Sequence, residues 1–221
     1  MKYFIDSANL PEIDDVLRSG VARGLTTNPS LVRSHAQGTA FEHLKDIVAL
    51  VERKEPQWSI SVQVMTRNPD LMLKQGLALY RTLDYKKLAI KIPCSWEAFP
   101  VIRELARNGI TVNCTACASL NQALLAAAAG ASYVSMFYGK MTDSGIDAAT
   151  TVGITAVRLA DYGSQLIVGS LRRTYDVFEV ARAGVHIVTV PYEYLKKISQ
   201  HEKTDEAVER FARDFLPFYP E

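Results

Sequence analysis

A lysine between two isoleucines is the residue of this sequence with the clearest capacity for covalent chemistry. Lys91 stands in A-I-K-I-P (89–93), a strand-like run in which Ile90 and Ile92 must point away from the face that carries Lys91. If that face lines an apolar interior, burial lowers the pKa of Lys91 below its ordinary value of about 10.4. A neutral amine attacks carbonyl carbons, and the resulting protonated imine withdraws electrons during carbon–carbon cleavage. The alternative is a strand-end lysine whose ammonium reaches water.

Polar residues also recur near the carboxyl ends of other strand-like runs, where an interior pattern predicts apolar ones. Besides Lys91 they are Asp6, Thr26, Asn28, Ser61, Gln63, Asn113, Thr115, Ser135 (with Phe137 two residues on) and Ser170. Any one of them could be a hydrogen-bonded core residue, and for Ser61 we prefer that interpretation. Burying so many polar groups unpaired would cost roughly 1–3 kcal/mol each, so together they predict a catalytic site.

Imine chemistry also needs a proton carrier and a held water molecule. Asp6 is the single carboxylate of the group, so we expect it to position a substrate hydroxyl and take its proton during cleavage. Gln63 and Thr115 are the candidates for holding water during the formation and dehydration of the carbinolamine.

The segment G-S-L-R-R-T at 169–174 predicts an anion site. In a (β/α)8 barrel, the loops after the seventh and eighth strands are the usual phosphate position, next to a helix N-terminus. Ser170 and Arg172 would supply a hydroxyl and a charged fork, and Lys140 a second cation. The alternative for Arg172 is a surface arginine at the start of a helix, and for Arg173 we prefer that interpretation.

The elements that must position these residues alternate between short strand-like runs and longer amphipathic ones. The predicted strands are Lys2–Ser7, Gly24–Asn28, Trp58–Met65, Lys87–Pro93, Thr111–Ala116, Tyr133–Tyr138, Gln165–Ser170 and His186–Pro191. Eight units predict the α/β class and one (β/α)8 TIM barrel over residues 1–221, with an extra C-terminal helix at about 204–215. No G-x-G-x-x-G follows the first strand, which argues against an open dinucleotide-binding sheet.

Composition argues against several other classes of protein. The chain has 48% hydrophobic and 22% charged residues and a formal net charge of +1, which predicts a globular protein that binds neither nucleic acid nor membranes. Its apolar runs are too short to span a bilayer, and the N-terminal segment lacks the pattern of a signal peptide. Three sparse cysteines predict a reducing, cytoplasmic location. Cys114 and Cys117 form a C-x-x-C within a strand-like run, where a redox role is not expected.

Seven segments, taken in order, resemble signatures of the transaldolase/fructose-6-phosphate aldolase family. They are F-I-D-S-A (4–8), G-L-T-T-N-P-S (24–30), V-Q-V-M (62–65), A-I-K-I-P (89–93), N-C-T (113–115), Y-V-S-M-F-Y-G-K (133–140) and G-S-L-R (169–172). The tail H-E-K-T-D-E-A-V-E-R-F (201–211) resembles the closing helix of the short branch of that family. The resemblance implies a barrel enzyme that forms a Schiff base with a ketose, releases an aldose and holds a dihydroxyacetone enamine, without cofactor or metal.

The resemblance also implies a role for each motif residue. Lys91 is similar to the Schiff-base residue, Asp6 to the general acid/base and Thr115 to the residue that holds the catalytic water. The remaining candidates would bind substrate: Asn28, Asn113 and Ser135 the dihydroxyacetone unit, Ser170 and Arg172 the phosphate, with Thr26, Phe137 and Lys140 beside them. Sugar phosphates or related anionic sugars are the implied substrates, and a homo-oligomer, a pentamer or decamer, is the implied assembly.

Among the departures from the family pattern, four bear on the reaction and on anion binding. Gln63 replaces the glutamate of transaldolases, as in the aldolase branch, whereas Phe137 replaces the tyrosine of those aldolases, as in transaldolases. Phe137 removes an acid that would protonate the enamine, which favours transfer over release. Lys140 replaces an arginine and Met136 a proline, which implies an altered anion specificity.

We therefore predict a transaldolase that transfers a dihydroxyacetone unit from a ketose phosphate to an aldose through a Lys91 Schiff base. One alternative is an aldolase similar to fructose-6-phosphate aldolase, and another is a specialised transaldolase for a sulfonated or longer-chain ketose. The alternative from a different class is a non-catalytic sugar-phosphate-binding protein. The presence of Asp6, Lys91 and Thr115 together argues against that last alternative.

Overall fold

The computed structural model describes residues 1–215 and contains a closed barrel of eight parallel strands. The strands are β1 (Lys2–Asp6), β2 (Gly24–Thr26), β3 (Ser59–Gln63), β4 (Leu88–Pro93), β5 (Thr111–Cys117), β6 (Tyr133–Phe137), β7 (Gln165–Gly169) and β8 (Ile187–Pro191). Each strand pairs with its neighbours in sequence, and β8 pairs with β1 to close the barrel. The predicted (β/α)8 TIM barrel is confirmed.

Eleven α-helices lie between residues 1 and 215. They are α1 (Leu10–Ser19), α2 (Pro29–His35), α3 (Ala40–Lys54), α4 (Pro69–Leu83), α5 (Phe99–Arg107), α6 (Leu120–Ala128), α7 (Tyr138–Asp143), α8 (Ala148–Leu159), α9 (Thr174–Arg182), α10 (Tyr192–Lys197) and α11 (Glu202–Phe215). A short 3-10 helix, Ala160–Tyr162, follows α8. The predicted C-terminal helix is confirmed as α11, which begins two residues before the predicted start.

The sequence pattern does not predict α2 and α7, and both begin where it predicts the end of a strand. In α2, Asn28 is the N-cap, and its Oδ1 accepts the backbone N–H groups of Ser30 and Leu31, each at 3.0 Å. Helix α7 starts at Tyr138, directly after β6. Helices of six or seven residues make fewer than two turns and therefore show no recognisable apolar period.

The barrel interior is apolar at the amino ends of the strands and polar at the carboxyl ends. Phe4, Ile167 and Ile187 form a buried apolar layer, against which Tyr133 packs. Gly24 leaves room for this layer, because a Cβ at that position would lie 2.5 Å from the Phe4 ring. The buried polar residues on the strands beyond this layer are Thr26, Ser61, Lys91, Asn113, Thr115, Ser135 and Thr189. The apolar layer is therefore the floor of the barrel, and the polar residues surround its mouth, the opening at the carboxyl ends of the strands.

Helix α11 differs from the other long helices because none of its residues is buried. Val208, Phe211 and Phe215 are each more than half exposed, at 59%, 60% and 57%. Among the helices of residues 1–215, none has the length and apolarity that crossing a membrane requires.

Candidate active site

A cavity of about 330 Å³ lies at the carboxyl ends of the strands. Its walls are formed by Asp6, Thr26, Asn28, Ser30, Gln63, Lys91, Ser135, Met136, Phe137, Lys140, Gly169, Ser170 and Thr189. Nine residues predicted for the site are among them; Asn113, Thr115 and Arg172 are the three that are not. The lining combines one amine in the barrel interior, one carboxylate and several hydroxyls, a set of groups that can attack a carbonyl and transfer protons.

Lys91 lies on β4 inside the barrel, where only 6% of the residue is exposed. The strand register sets it beside Gln63 on β3 and Asn113 on β5. Its Nζ donates a hydrogen bond to the backbone oxygen of Thr27 at 2.9 Å. Desolvation lowers the pKa of Lys91, and the charge of Asp6 opposes this shift without reversing it. A positioned amine with a lowered pKa is what imine formation requires.

Asp6 ends β1 and takes part in a chain of hydroxyl groups. The Thr26 Oγ1 donates to the Asp6 Oδ1 at 2.6 Å and lies 2.6 Å from the Thr189 Oγ1. Because a hydroxyl has one proton, Thr189 must donate to Thr26 when Thr26 donates to the carboxylate. Burial raises the pKa of Asp6, whereas Lys91 and the Thr26 hydrogen bond act to lower it. The chain therefore fixes the orientation of the Asp6 carboxyl group.

Thr189 is a site residue that the sequence analysis missed. It lies on β8 in I-V-T-V-P and lines the cavity. A threonine among valines is typical of any buried strand, because all of these residues are β-branched. The available signal was its position two residues before the end of a strand, the place where the other strands carry their polar residues.

Asn113 lies beneath the cavity wall rather than in it. Its Nδ2 donates to the Ser61 Oγ at 3.2 Å, and its Oδ1 accepts the Ser135 hydroxyl at 2.8 Å. All three residues are buried, and Ser135 alone of them lines the cavity. Asn113 therefore orients Ser135, whose oxygen remains able to accept a hydrogen bond from a substrate hydroxyl. The interpretation of Ser61 as a hydrogen-bonded core residue is confirmed.

Thr115 has an unusual environment on β5. It is 1% exposed, and within residues 1–215 its Oγ1 is the one buried side-chain oxygen or nitrogen that lacks a hydrogen-bond partner. Leaving such a group unpaired costs about 1–3 kcal/mol, and buried polar atoms of this kind commonly bind an ordered water. The hydroxyl is therefore suited to hold a water molecule next to the strand that carries Lys91.

Asn28 reaches the cavity from the start of α2. Its side-chain oxygen is occupied by the two capping hydrogen bonds described above, so its amide NH₂ is the part left to donate to a substrate oxygen. Helix α2 also brings Ser30 into the cavity wall. The sequence analysis missed Ser30 because it did not predict α2.

The predicted anion-binding residues lie at the rim but do not all face the cavity. Lys140 on α7 is exposed and lines the cavity. Ser170 also lines the cavity and has a left-handed backbone conformation (φ 59°). Arg172 is exposed and instead donates to the Asp143 carboxylate at 3.2 Å. Because exposed ion pairs contribute only about 0–1 kcal/mol, this contact holds Arg172 weakly.

The N-terminus of α9, where the sequence analysis places a phosphate, already has a carboxylate bound to it. The Asp176 Oδ2 accepts the backbone N–H groups of Arg172 and Arg173 at 2.7 and 3.0 Å. The Asp176 Oδ1 accepts the guanidinium of Arg173, at 3.0 Å from its nearer nitrogen. These backbone donors are therefore not free to bind an anion, and the groups that the rim leaves for one are side chains.

Comparison of the fold and sequence with known proteins identifies the family. Thiamine phosphate pyrophosphorylase from Pyrococcus furiosus superposes with a TM-score of 0.62 over 89% of this chain and 93% of that one; at 15% identity, this likeness concerns the fold alone. The sequence profile described as "Transaldolase/Fructose-6-phosphate aldolase" matches residues 3–216.

Curated relatives match the whole length of the sequence rather than a part of it. A probable transaldolase from Dehalococcoides mccartyi is 35% identical over 217 residues, which cover 97% of this chain and 98% of the relative. A probable transaldolase from Clostridium acetobutylicum is 37% identical over 218 residues, with 97% of both chains covered. The profile matches nearly every residue, and the relatives are matched over almost their whole length, so both comparisons lead to the same conclusion: the chain belongs to the transaldolase/fructose-6-phosphate aldolase family.

Proposed function

We propose that this protein is a transaldolase that uses Lys91 to form a Schiff base with a ketose and transfers a dihydroxyacetone unit to an aldose. The observation that carries the proposal is the interior Lys91 amine, whose pKa burial lowers, in a cavity whose one carboxylate is Asp6. A non-catalytic binding protein has no need of a desolvated amine, because a charged lysine would attract an anion more strongly.

In the first step, the neutral Lys91 amine attacks the ketose carbonyl with its lone pair, which the hydrogen bond donated by Nζ to the Thr27 oxygen leaves free. The carbinolamine then loses water, which requires proton transfer to the departing oxygen. The unpaired Thr115 hydroxyl supports a role for this residue in holding that water. Gln63, which lies beside Lys91 in the strand register, is the second candidate.

In the second step, Asp6 accepts the proton of the substrate C4 hydroxyl while the C3–C4 bond breaks and the aldose leaves. The electron pair passes to the protonated imine and gives the enamine of dihydroxyacetone. The raised pKa of Asp6 makes it a stronger base than an ordinary carboxylate, and Thr26 holds it in place. Asn28 as a donor and Ser135 as an acceptor are placed to bind the hydroxyls of the retained unit.

The enamine can then attack a second aldehyde, which is transfer, or accept a proton and leave as dihydroxyacetone. Phe137 and Met136 line the cavity near Ser135 on β6, and neither side chain can donate a proton. This favours transfer. Aldol cleavage remains the second candidate, because Gln63 in the cavity wall lacks the carboxylate that transaldolases have at this position.

The donor is proposed to be a ketose phosphate or a related anionic sugar. Lys140 and Ser170 line the rim, and Arg172 can join them by leaving Asp143. Lysine contributes a compact charge rather than a planar fork, so its preference for phosphate over sulfonate is weaker than that of arginine. A sulfonated or longer-chain ketose is therefore a further candidate donor.

Trapping the imine tests this proposal. The protein and Lys91→Met are incubated with fructose 6-phosphate and sodium borohydride, and the intact masses are measured. We expect a three-carbon or six-carbon adduct on the wild type alone; adding erythrose 4-phosphate without borohydride then separates transfer from release. An adduct with dihydroxyacetone only would point to another natural ketose, and no adduct with either compound would contradict the mechanism.

A further inference from the structure

All three cysteines of the chain meet at one place outside the active site. Cys94 follows β4, whereas Cys114 and Cys117 lie on β5. Cys94 is therefore distant in sequence from the other two, and the fold brings it next to them. Their three sulfur atoms lie within 4.8 Å of one another. Cys114 and Cys117 are fully buried, and Cys94 is half-buried. We refer to these residues as the cysteine cluster.

An irregularity of β5 creates the cluster. In a regular strand, residues three apart point to opposite faces, so Cys114 and Cys117 would be separated by the sheet. Here Ala116 has a left-handed backbone (φ 64°), and the pairing with β6 shifts register between Cys114 and Cys117. The shift brings the two sulfur atoms to 3.9 Å on the same side.

The sulfur atoms of Cys114 and Cys117, 3.9 Å apart, have the spacing of thiolates around a small soft cation, and the Cys94 sulfur lies within 4.8 Å of both. Three sulfurs, each about 2.3 Å from a metal ion, stand about 3.8–4.0 Å apart in tetrahedral or trigonal geometry. A disulfide needs sulfurs about 2.05 Å apart, so the pair at 3.9 Å would have to move to form one.

We propose that Cys94, Cys114 and Cys117 bind one thiophilic d10 cation, Zn²⁺ or Cu⁺, at a site separate from the sugar cavity. In the described part of the chain, no histidine or carboxylate joins this group, so the ligands that the protein supplies are sulfur alone. Such a set selects soft cations over Mg²⁺ or Ca²⁺. Each thiol that binds releases its proton to solvent, and no electron is transferred. Water at the half-exposed Cys94 side would complete a tetrahedral Zn²⁺ site, whereas Cu⁺ needs only the three sulfurs.

The cluster lies directly behind a residue of the proposed catalytic site. The Cys94 backbone N–H donates to the Thr115 oxygen at 2.8 Å, and Thr115 follows Cys114 in β5. The three sulfur atoms nevertheless do not line the sugar cavity. Metal binding and imine formation at Lys91 can therefore be measured separately on the same protein.

The test is a titration of the full-length protein, reduced with a phosphine under anaerobic conditions, with Zn²⁺ and with Cu⁺. Competition against a chromophoric chelator gives the affinity, and native mass spectrometry gives the stoichiometry. We expect one equivalent of at least one cation, and an affinity at least 100-fold lower for Cys94→Ser and for Cys117→Val. Glu97→Gln, which removes an exposed carboxylate near Cys94, is the matched control and is expected to bind like the wild type.

Circular dichroism and thermal unfolding establish that each variant is folded. Cys117→Val keeps an apolar side chain at its buried position, whereas Cys94→Ser introduces a polar one. Binding below one equivalent for both cations, or equal affinity of the wild type and both cysteine variants, would overturn the proposal. Loss of two hydrogens on mild peroxide treatment, without metal binding, would identify a dithiol instead and would also overturn it. Borohydride trapping at Lys91 reports separately on the proposed catalytic function.

Discussion

Two ionisable residues in the cavity have pKa values that burial shifts toward each other. Burial lowers the pKa of Lys91, so its neutral amine forms at lower pH than that of an ordinary lysine. Burial raises the pKa of Asp6, so its carboxylate is lost at higher pH than that of an ordinary aspartate. Because each acts on the other, they titrate as a pair. Lys91 must be neutral to form the imine, and Asp6 must be ionised to accept the proton during cleavage, so activity is expected to fall as the pH is lowered.

Replacing Asp6 by asparagine is expected to shift the pH midpoint of imine formation downward. The Asp6 charge raises the pKa of Lys91, so without it desolvation acts alone and the amine loses its proton at lower pH. The measurement is the rate of dihydroxyacetone adduct formation, trapped with cyanoborohydride and followed by intact mass across a pH series. Asp46→Asn, an exposed site, should leave the midpoint unchanged. An unshifted or higher midpoint in Asp6→Asn would contradict the assigned coupling.

Thr189→Val is expected to slow carbon–carbon cleavage while leaving imine formation intact. Valine keeps the shape of the side chain but removes the hydroxyl that lies 2.6 Å from Thr26, so the Asp6 carboxyl is less well oriented. Loss of one such hydrogen bond, worth about 1 kcal/mol or somewhat more beside a charged group, predicts a decrease of about tenfold in kcat. Steady-state kinetics and dihydroxyacetone trapping measure the two steps. Thr189→Ser should retain most of the rate, and a Val variant as fast as wild type would refute the role.

Among the secondary-structure elements, the joints between strands and short helices position the mouth of the barrel. The helix N-cap at Asn28 and the start of α7 after Phe137 leave no flexible connection between strand and helix. Lys140, on the first turn of α7, is thereby fixed relative to β6. An exposed rim residue on one of these short helices therefore has a fixed backbone position.

The strands and long helices could be predicted from the sequence because each has a recognisable period. Most polar residues of the cavity wall could be predicted because active sites of (β/α)8 barrels lie at the carboxyl ends of the strands. The orientation of the Arg172 side chain could not be predicted, because its partner Asp143 lies 29 residues away in α7, a helix that the sequence pattern does not predict. The binding of Asp176 to the N-terminus of α9 could not be predicted either. Acidic residues are frequent at helix starts, and the sequence does not show whether such a residue occupies the N–H groups that a phosphate would otherwise bind. Local patterns indicate elements, whereas competition among charged partners depends on tertiary contacts.

Gly24→Ala tests the packing of the barrel floor. The added Cβ would meet the Phe4 ring at 2.5 Å, too close for contact, so the ring or β2 must move. Overpacking of this kind costs about 1–3 kcal/mol in the free energy of unfolding, which urea denaturation would measure. Phe4→Leu in the same chain should recover part of the loss, with Phe4→Leu alone as the control. Equal stability of Gly24→Ala and wild type would show that the floor is loosely packed.

At the scale of the whole molecule, α11 stands apart because it buries none of its residues against the rest of the described chain. Its exposed Val208 and Phe211 form an apolar face, although residues of this kind are usually covered. The resemblance to the short branch of the family predicts an oligomer, and this face supports the prediction. The cytoplasmic location likewise stays a prediction.

A double substitution, Val208→Glu with Phe211→Glu, is expected to reduce the mass of the assembly in solution. Two carboxylates in place of an apolar face oppose its burial against another copy. Size-exclusion chromatography with light scattering measures the mass, and Glu209→Gln on the same helix is the control. If the doubly substituted protein keeps the mass of the wild type, α11 does not mediate assembly.

The layer of Phe4, Ile167 and Ile187 closes the barrel beneath the cavity. A molecule can therefore enter and leave the cavity only through the mouth at the carboxyl ends of the strands, and under the proposed function the released aldose must depart by the route that the next aldose takes. Under the proposed function, donor and acceptor compete for one passage. Their kinetics would follow a substituted-enzyme order, in which the enzyme alternates between a free form and one that carries three carbons, and excess acceptor would inhibit the reaction with the donor.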